Sequence, residues 1–284
     1  MPMNNYCDLH THSCCSDGSC TPEEIIGLAL QKGLSAVALT DHNTIDGLPA
    51  FLQAAAGKNI LAIPGVEIST GYGDKELHIV GLFVQPSDYA ALSGFLNAAN
   101  LRKEESNRRL IHALSQAGFL LDYDSILHHH PTGTVNRAVI AAALLEKGYV
   151  TSVEDAFQRQ LHPRNGFYVP PERISAFEAI RFLSAIHAVP VLAHPFLNLS
   201  EAELRQFLPE AKKQGLAAME TVYSSYSPET EALAGRIAAE FGLLRSGGSD
   251  FHGSNKPDIS IGIGRGNLRI PTEFVKQLQE AIRK

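Results

Sequence analysis

Histidine, aspartate and glutamate residues recur along the whole of this chain just after short apolar, β-rich runs, and that pattern constrains fold and chemistry together. The motifs are DLHTHSCCSDG at Asp8 to Gly18, TDHNT at Thr40 to Thr44, PGVEIS at Pro64 to Ser69, LHIVG at Leu77 to Gly81, LAHPF at Leu192 to Phe196 and GGSDFHG at Gly247 to Gly253. Strand termini fix the direction in which imidazoles and carboxylates point, while the loops that follow leave a face open to substrate. Such a chain is expected to gather a multinuclear metal site and to carry out metal-dependent hydrolysis.

Between the motifs, apolar runs alternate with helical patterns, as in βα repeats around a parallel sheet. The pattern predicts strands at Tyr6–His10, Ser35–Thr40, Ile60–Ile63, Glu76–Phe83, Val189–Ala193, Ala217–Tyr223 and Leu243–Ser246. Thr21 followed by Pro22, Glu23 and Glu24 reads as a helix N-cap with a first-turn proline and two dipole-favoured acids, and Gly33 closes that helix. Further helices are predicted at Ser175–Ala188, Glu201–Gln214, Pro228–Phe241 and Pro271–Ile282. Closing such repeats gives a TIM-like α/β barrel of seven or eight strands with its chemistry at their carboxyl ends. The alternation breaks at 88–166, where the sequence is helical and polar. Residues 1–87 and 167–284 are therefore expected to form the barrel, and 88–166 a helical insertion that caps its mouth.

Composition excludes several classes. With 284 residues, 44% of them hydrophobic, the chain can bury a large core. A net charge of -6 argues against a broad basic surface gripping long duplex nucleic acid, while leaving room for a short or end-bound nucleic acid or a nucleotide. No apolar stretch approaches the roughly 20 residues that span a bilayer, and MPMNNYCDLH has neither the basic nor the apolar region of a signal peptide. A cytoplasmic location with no membrane partner is the expectation. The four cysteines, Cys7, Cys14, Cys15 and Cys20, lie in the first motif region without C-x-x-C spacing, so reduced thiols are expected. Whether one of them reaches a metal or makes the protein sensitive to oxidation stays open.

Each candidate ligand also has an ordinary reading. His10 and His12, at i and i+2 on a strand end, point to one side and can chelate one ion, although HxH also arises by chance. Asp17 sits in SDGS, where an aspartate often bonds its own turn. Asp41 and His42 end an apolar strand and can be a structural pair. Glu67 can bridge two metals or serve as a cap or salt-bridge partner. His78, within ELHIVGLF, can be a cross-strand residue. His194 is held by Pro195, which sets the exit direction from an apolar strand. Asp250 and His252 repeat the i, i+2 spacing in a glycine-rich loop that permits close approach of backbone, ions and phosphate. Together, at one place after another along the chain, they make coincidence a poor explanation.

In this order the motifs resemble the PHP (polymerase and histidinol phosphatase) superfamily over almost the entire barrel. NRAVIAAALLEKG at Asn136 to Gly148 and GFYVP at Gly166 to Pro170 are similar to a branch of stand-alone phosphoesterases that includes nucleoside 3',5'-bisphosphate phosphatases and exonucleases acting on 5'-phosphorylated RNA or short oligonucleotides. The resemblance implies a distorted (β/α)7 barrel, the PHP fold, with two or three divalent ions. It implies that His10, His12, Glu67 and Asp250 hold one ion, that Glu67 bridges to a second held by His78 and His194, and that Asp17, His42 and His252 hold a third. Some members carry histidine where this chain has Asp17; a carboxylate is a harder ligand and shifts that site from zinc towards Mn, Fe or Mg.

The chemistry expected of such a site is attack on phosphorus by a metal-bridging water held through Glu67. Asp41 is a candidate second layer behind a ligand or an ordinary hydrogen-bonding group. Arg137, with Asn136 beside it, is the candidate phosphate donor, because a guanidinium fork matches phosphate geometry; its plain reading is a solvated arginine at a helix start. Arg108 and Arg109 read as surface charge, and His128, His129 and His130 as an exposed loop. The alternatives are a histidinol-phosphate-type small-molecule phosphatase, an amidohydrolase-like C–N hydrolase and a non-catalytic PHP module. The C–N hydrolase is disfavoured because no lysine ligand is visible, and the non-catalytic module because every expected ligand is kept.

Overall fold

The computed structural model describes residues 5–129 and 135–282. Chain order is β1 (Tyr6–Asp8), α1 (Pro22–Gln31), β2 (Ala36–Leu39), α2 (Leu48–Ala55), β3 (Leu61–Tyr72), β4 (Lys75–Leu82), α3 (Tyr89–Gln116), α4 (Tyr123–His129), α5 (Arg137–Glu146), α6 (Val153–Gln158), β5 (Ile174–Ser175), α7 (Ala176–Ala185), β6 (Val189–Leu192), α8 (Glu201–Lys213), β7 (Ala218–Tyr223), α9 (Pro228–Glu240), β8 (Leu244–Gly248), β9 (Ile270–Pro271) and α10 (Thr272–Ile282). The chain separates into two compact units, 1–93 with 174–284, and 94–173.

In the first unit the sheet runs β8-β7-β6-β4-β3-β2-β1-β9. Its two sides meet just beyond β1 and β8. The Leu9 N–H donates to the Gly247 carbonyl at 3.2 Å, the Asp250 N–H to the His10 carbonyl at 2.9 Å, and the His12 N–H to the Phe251 carbonyl at 2.9 Å. Seven strands (β1, β2, β3, β4, β6, β7 and β8) thus surround the interior, and the seam is made by the motifs DLHTH and GGSDFHG themselves. β2 (AVAL) and β6 (VPVL) are buried along their whole length, as strands covered on both faces must be. Cys7, Leu9, Ala38, Ile63, Val80, Leu82, Val191 and Ala218 pack together, joined by Phe274, Val275 and Leu278 of α10.

All seven predicted strands are present, but the third and fourth depart from the βα pattern. β3 does not stop at Ile63; it continues to Tyr72 and folds back as β4 in an antiparallel hairpin registered from Gly65 with Leu82 to Tyr72 with Lys75. Only Gly73 and Asp74 separate the strands, with Gly73 at φ 61°, which suits a two-residue hairpin and leaves no length for a crossover helix. β4 consequently runs antiparallel to β6 as well. The helices follow their caps: Thr21 Oγ1 accepts from the Glu24 N–H at 3.2 Å while Glu24 Oε2 accepts from the Thr21 N–H at 2.7 Å, and Gly33 leaves α1 at φ 69°.

The second unit is helical, with no strand among its described residues. Leu110, Ile111 and Leu114 of α3 pack with Ile140, Ala141 and Leu144 of α5, Ala156 of α6, and Tyr168. The unit covers 94–173 where the sequence pattern placed 88–166, because Phe167 and Tyr168 join this core and draw the following segment with them. α4 extends to His129, so the expected histidine loop is helical up to that point with His128 exposed; His130 lies outside the described residues. No described helix is long and apolar enough to cross a membrane.

Candidate metal centre

The barrel seam delivers four of the nine candidate ligands. His10 and His12 leave β1 on one side of the ladder and Asp250 and His252 leave β8 on the other, which requires the two backbones to touch. Glycine makes that contact feasible: a Cβ at Gly248 would lie 2.1 Å from the His10 Cβ. His194 follows β6, and His42 bridges to Glu67 just after β2. Glu67 and His78 are not at strand ends but inside the β3–β4 hairpin, which carries them to the same place. Asp17 arrives on the loop after β1, folded by Asp41: its carboxylate accepts from the Ser13 N–H and Oγ, each at 2.7 Å, and from Ser16 Oγ at 2.6 Å. Asp41 therefore bonds the ligand-bearing loop and not an imidazole.

All nine candidates converge. Glu67, fully buried, lies at the middle with its two oxygens facing different imidazoles. Oε1 is 2.8 Å from His78 Nδ1 and 3.1 Å from His194 Nε2; Oε2 is 3.1 Å from His10 Nε2, 3.3 Å from His12 Nε2 and 3.2 Å from His42 Nδ1. Asp250 Oδ1 is 3.3 Å from His12 Nε2 and 3.8 Å from His10 Nε2. Around Asp17, Oδ1 is 3.2 Å from His252 Nε2 and 3.7 Å from His12 Nδ1, and Oδ2 is 3.8 Å from His42 Nε2.

The electrostatics are those of ligands facing a common point. His10 Nε2, His12 Nε2, His42 Nδ1 and Glu67 Oε2 are buried without a hydrogen-bond partner among the described residues, although the three nitrogens lie 3.1–3.3 Å from Glu67 Oε2; His12 Nδ1 is likewise unpartnered, 3.7 Å from Asp17 Oδ1. Unpaired buried polar atoms are costly. Ligand bonds of about 2.0–2.2 Å at tetrahedral to octahedral angles place neighbouring donor atoms about 2.8–3.6 Å apart, so the spacings suit divalent ions. Four sets of three or four donors qualify: His12, Asp17, His42, His252; His10, Glu67, His194; His10, His12, Asp250; and His42, Glu67, His78. Burial disfavours the Glu67 charge, but His10, His42 and His78 outweigh it and hold the carboxyl well below its usual range. Burial likewise opposes protonation of His12 and His78, yet Asp250 and Glu67 push His12 up to about 9, and Glu67 pushes His78 up to about 10. His42 goes the other way, to about 3, because burial prevails over Glu67.

Residues 8–169 match the model of the PHP domain. The chain belongs to the PHP domain family. It is 32% identical over 261 residues to the 5'-3' exoribonuclease Rnm of Salmonella typhimurium, covering 91% of this chain and 88% of that one. It is 29% identical over 258 residues to the 3',5'-nucleoside bisphosphate phosphatase of Chromobacterium violaceum, covering 90% of each. A crystal structure from Bifidobacterium adolescentis, assigned to the metal-dependent phosphoesterases, superposes with a TM-score of 0.81 at 26% identity, covering 99% of this chain and 98% of that one. The protein is a metal-binding phosphoesterase, a hydrolase of ester bonds.

Within this PHP barrel, four further residues do work that sequence reasoning missed. Asp8, fully buried, accepts from the Ser249 N–H and Oγ and the Gly262 N–H at 2.6–2.8 Å, tying β1 to the loop that carries Asp250. Tyr223 Oη and Lys256 Nζ each donate to Asp250 Oδ2 at 2.7 Å, leaving Oδ1 for the centre. Glu220, 1% exposed, accepts from His10 Nδ1 and the His194 N–H. Glu220 was legible as a lone acid in the apolar run AMETVY; Lys256 had no such signal. His194 and Asp250 hold left-handed backbone, at φ 28° and 58°, strain that surrounding bonds sustain at a functional centre.

In the helical unit, Asn136 caps α5 through its Oδ1, which accepts from the Val139 N–H at 3.0 Å. Arg137 is half-buried, its guanidinium 4.6 Å from the Tyr168 ring centroid and 5.7 Å from that of Phe157. Arg108 pairs with Glu104 and Asp124, and Arg109 with Glu105. The four cysteines are unpaired thiols.

Proposed function

We propose that this PHP phosphoesterase hydrolyses nucleotide-like phosphate esters, either nucleoside 3',5'-bisphosphates or short 5'-phosphorylated oligonucleotides, with two or three divalent ions drawn from Mn, Fe, Zn and Mg. The observation that carries this reading is the position of Glu67, whose two oxygens address separate groups of imidazoles from a fully buried site. His10, His12 and Asp250 serve one ion with Glu67; His78 and His194 serve the second; Asp17, His42 and His252 serve the third. Divalent ions bound there supply a water of lowered pKa and neutralise phosphate charge. The carboxylates set the number of charges the site can balance. Asp250, oriented by the hydrogen bonds from Tyr223 and Lys256, faces the same point as His12. The names of the two relatives support the substrate class, since one is a 5'-3' exoribonuclease and the other a 3',5'-nucleoside bisphosphate phosphatase.

Arg137 is our candidate for gripping a substrate phosphate. Stacking on Tyr168 supports this by reducing the rotamer freedom that would be lost on binding. Asn136 holds the turn on which Arg137 sits. The test is a panel of histidinol phosphate, nucleoside bisphosphates and 5'-phosphorylated oligonucleotides, assayed with added Mn and after chelation. Turnover is expected on the nucleotide substrates, abolished by His10→Ala, Asp250→Ala or chelation, with Arg137→Ala raising KM. Full turnover by demetallated protein would contradict the reading.

A further inference from the structure

Glu220 lies on β7 with both carboxylate oxygens engaged and belongs to none of the ligand sets. Oε1 is 2.9 Å from His10 Nδ1, and Oε2 accepts from the backbone N–H of His194 at 2.7 Å. A carboxylate has no proton to give, so the His10 contact requires the imidazole proton on Nδ1. The other nitrogen, Nε2, is the one left buried and without a partner, aimed at Glu67 and Asp250. The second contact falls on a residue at φ 28° and ψ 54°, a conformation disfavoured for any non-glycine residue and more so before proline.

We propose that Glu220 is a positioning residue for two ligands at once: it fixes His10 in the tautomer whose Nε2 is free for a metal, and it clamps the strained turn that aims His194. This rests on the reading of the cluster as a metal centre, which it deepens by naming what sets ligand geometry. A ligand histidine whose other N–H is bonded to a carboxylate is held in ring orientation and tautomer, and loss of such a partner weakens metal affinity ten- to hundred-fold.

Glu220→Gln is the informative variant because it is isosteric and cannot serve both donors. The His194 N–H always donates, so the amide oxygen turns to it and the amide NH₂ faces His10 Nδ1, which must then accept. The proton moves to Nε2, and the metal-binding nitrogen is lost while the core stays filled. Zinc affinity and stoichiometry are measured by competition with a chelator, alongside thermal unfolding of the metal-free protein and ¹⁵N NMR of the histidine side chains in zinc-loaded wild type. The expected result is a ten- to hundred-fold loss of zinc affinity in E220Q, with metal-free unfolding little changed and wild-type His10 showing a protonated Nδ1 and a zinc-bound Nε2. Wild-type zinc affinity in E220Q, or a His10 bound through Nδ1, overturns the proposal. If E220Q does not fold, the wild-type spectrum alone decides. Wild-type protein that binds no zinc, Mn or Fe overturns the metal reading itself, a separate outcome.

Discussion

Gly248→Ala tests whether the seam between β1 and β8 is what holds the centre together. An alanine Cβ at this position would lie 2.1 Å from the His10 Cβ, 2.7 Å from its N and 2.9 Å from its Cα. Carbon atoms pack at about 3.5–4.0 Å, so the two strands must part by about 1.4 Å or more. The contact is backbone and Cβ, with no flexible side-chain end to swing aside. Overpacking of this kind costs about 1–3 kcal/mol, which for a chain of this size lowers Tm by about 2–12 °C. The functional loss is larger, because ligand distances tolerate only about 0.2 Å and a 1 Å misplacement can cost about a hundred-fold in rate. Gly27→Ala is the control: nothing lies within 4 Å of its added Cβ, and in α1 it should stabilise by about 0.4–1 kcal/mol. Calorimetry, metal content and kcat/KM on a substrate from the panel read out both variants. A G248A protein with full metal content and wild-type kcat/KM would refute the reasoning.

Other outcomes follow from the same geometry. In metal-free protein, His12 and His78 titrate near 9 and 10 and carry protons at neutral pH, whereas metal requires the neutral rings, so binding should release protons and tighten as pH rises towards those values; calorimetric titration in buffers of different ionisation enthalpy counts them, and proton-independent binding would contradict it. Tyr223→Phe removes one of two donors to Asp250 Oδ2, a charged hydrogen bond worth about 1.5–3 kcal/mol, and should lower metal affinity with the fold retained on circular dichroism. Asp41→Ala deprives Ser13 and Ser16 of their acceptor and should loosen the Asp17 loop, lowering metal stoichiometry at the Asp17, His42 and His252 set before the others.

The barrel was legible because its strands are short apolar runs of fixed spacing, and the ligands because imidazoles and acids interrupt those runs. The hairpin was read as an ordinary repeat because the Gly73-Asp74 turn is only two residues long, although TGYGDKE carries a hairpin signal. That misreading put Glu67 beyond the end of its strand and His78 in a strand of a separate repeat; period-2 alternation keeps them on the interior face either way, which is why their convergence survived it. The partition of ligands was not legible. His12 and His42 each offer two nitrogens to different carboxylates, a property of ring orientation that no spacing encodes. Glu220 and Lys256 act through side chains that meet the site from β7 and from the loop past His252, contacts that depend on barrel closure.

The most direct test is anomalous scattering from crystals of Mn-loaded protein, recorded on both sides of the Mn absorption edge. Two or three peaks within coordination distance of Glu67, with His10, Asp250 and His194 around them, are the predicted result. Fully loaded, active protein whose peaks lie away from Glu67 would contradict the account.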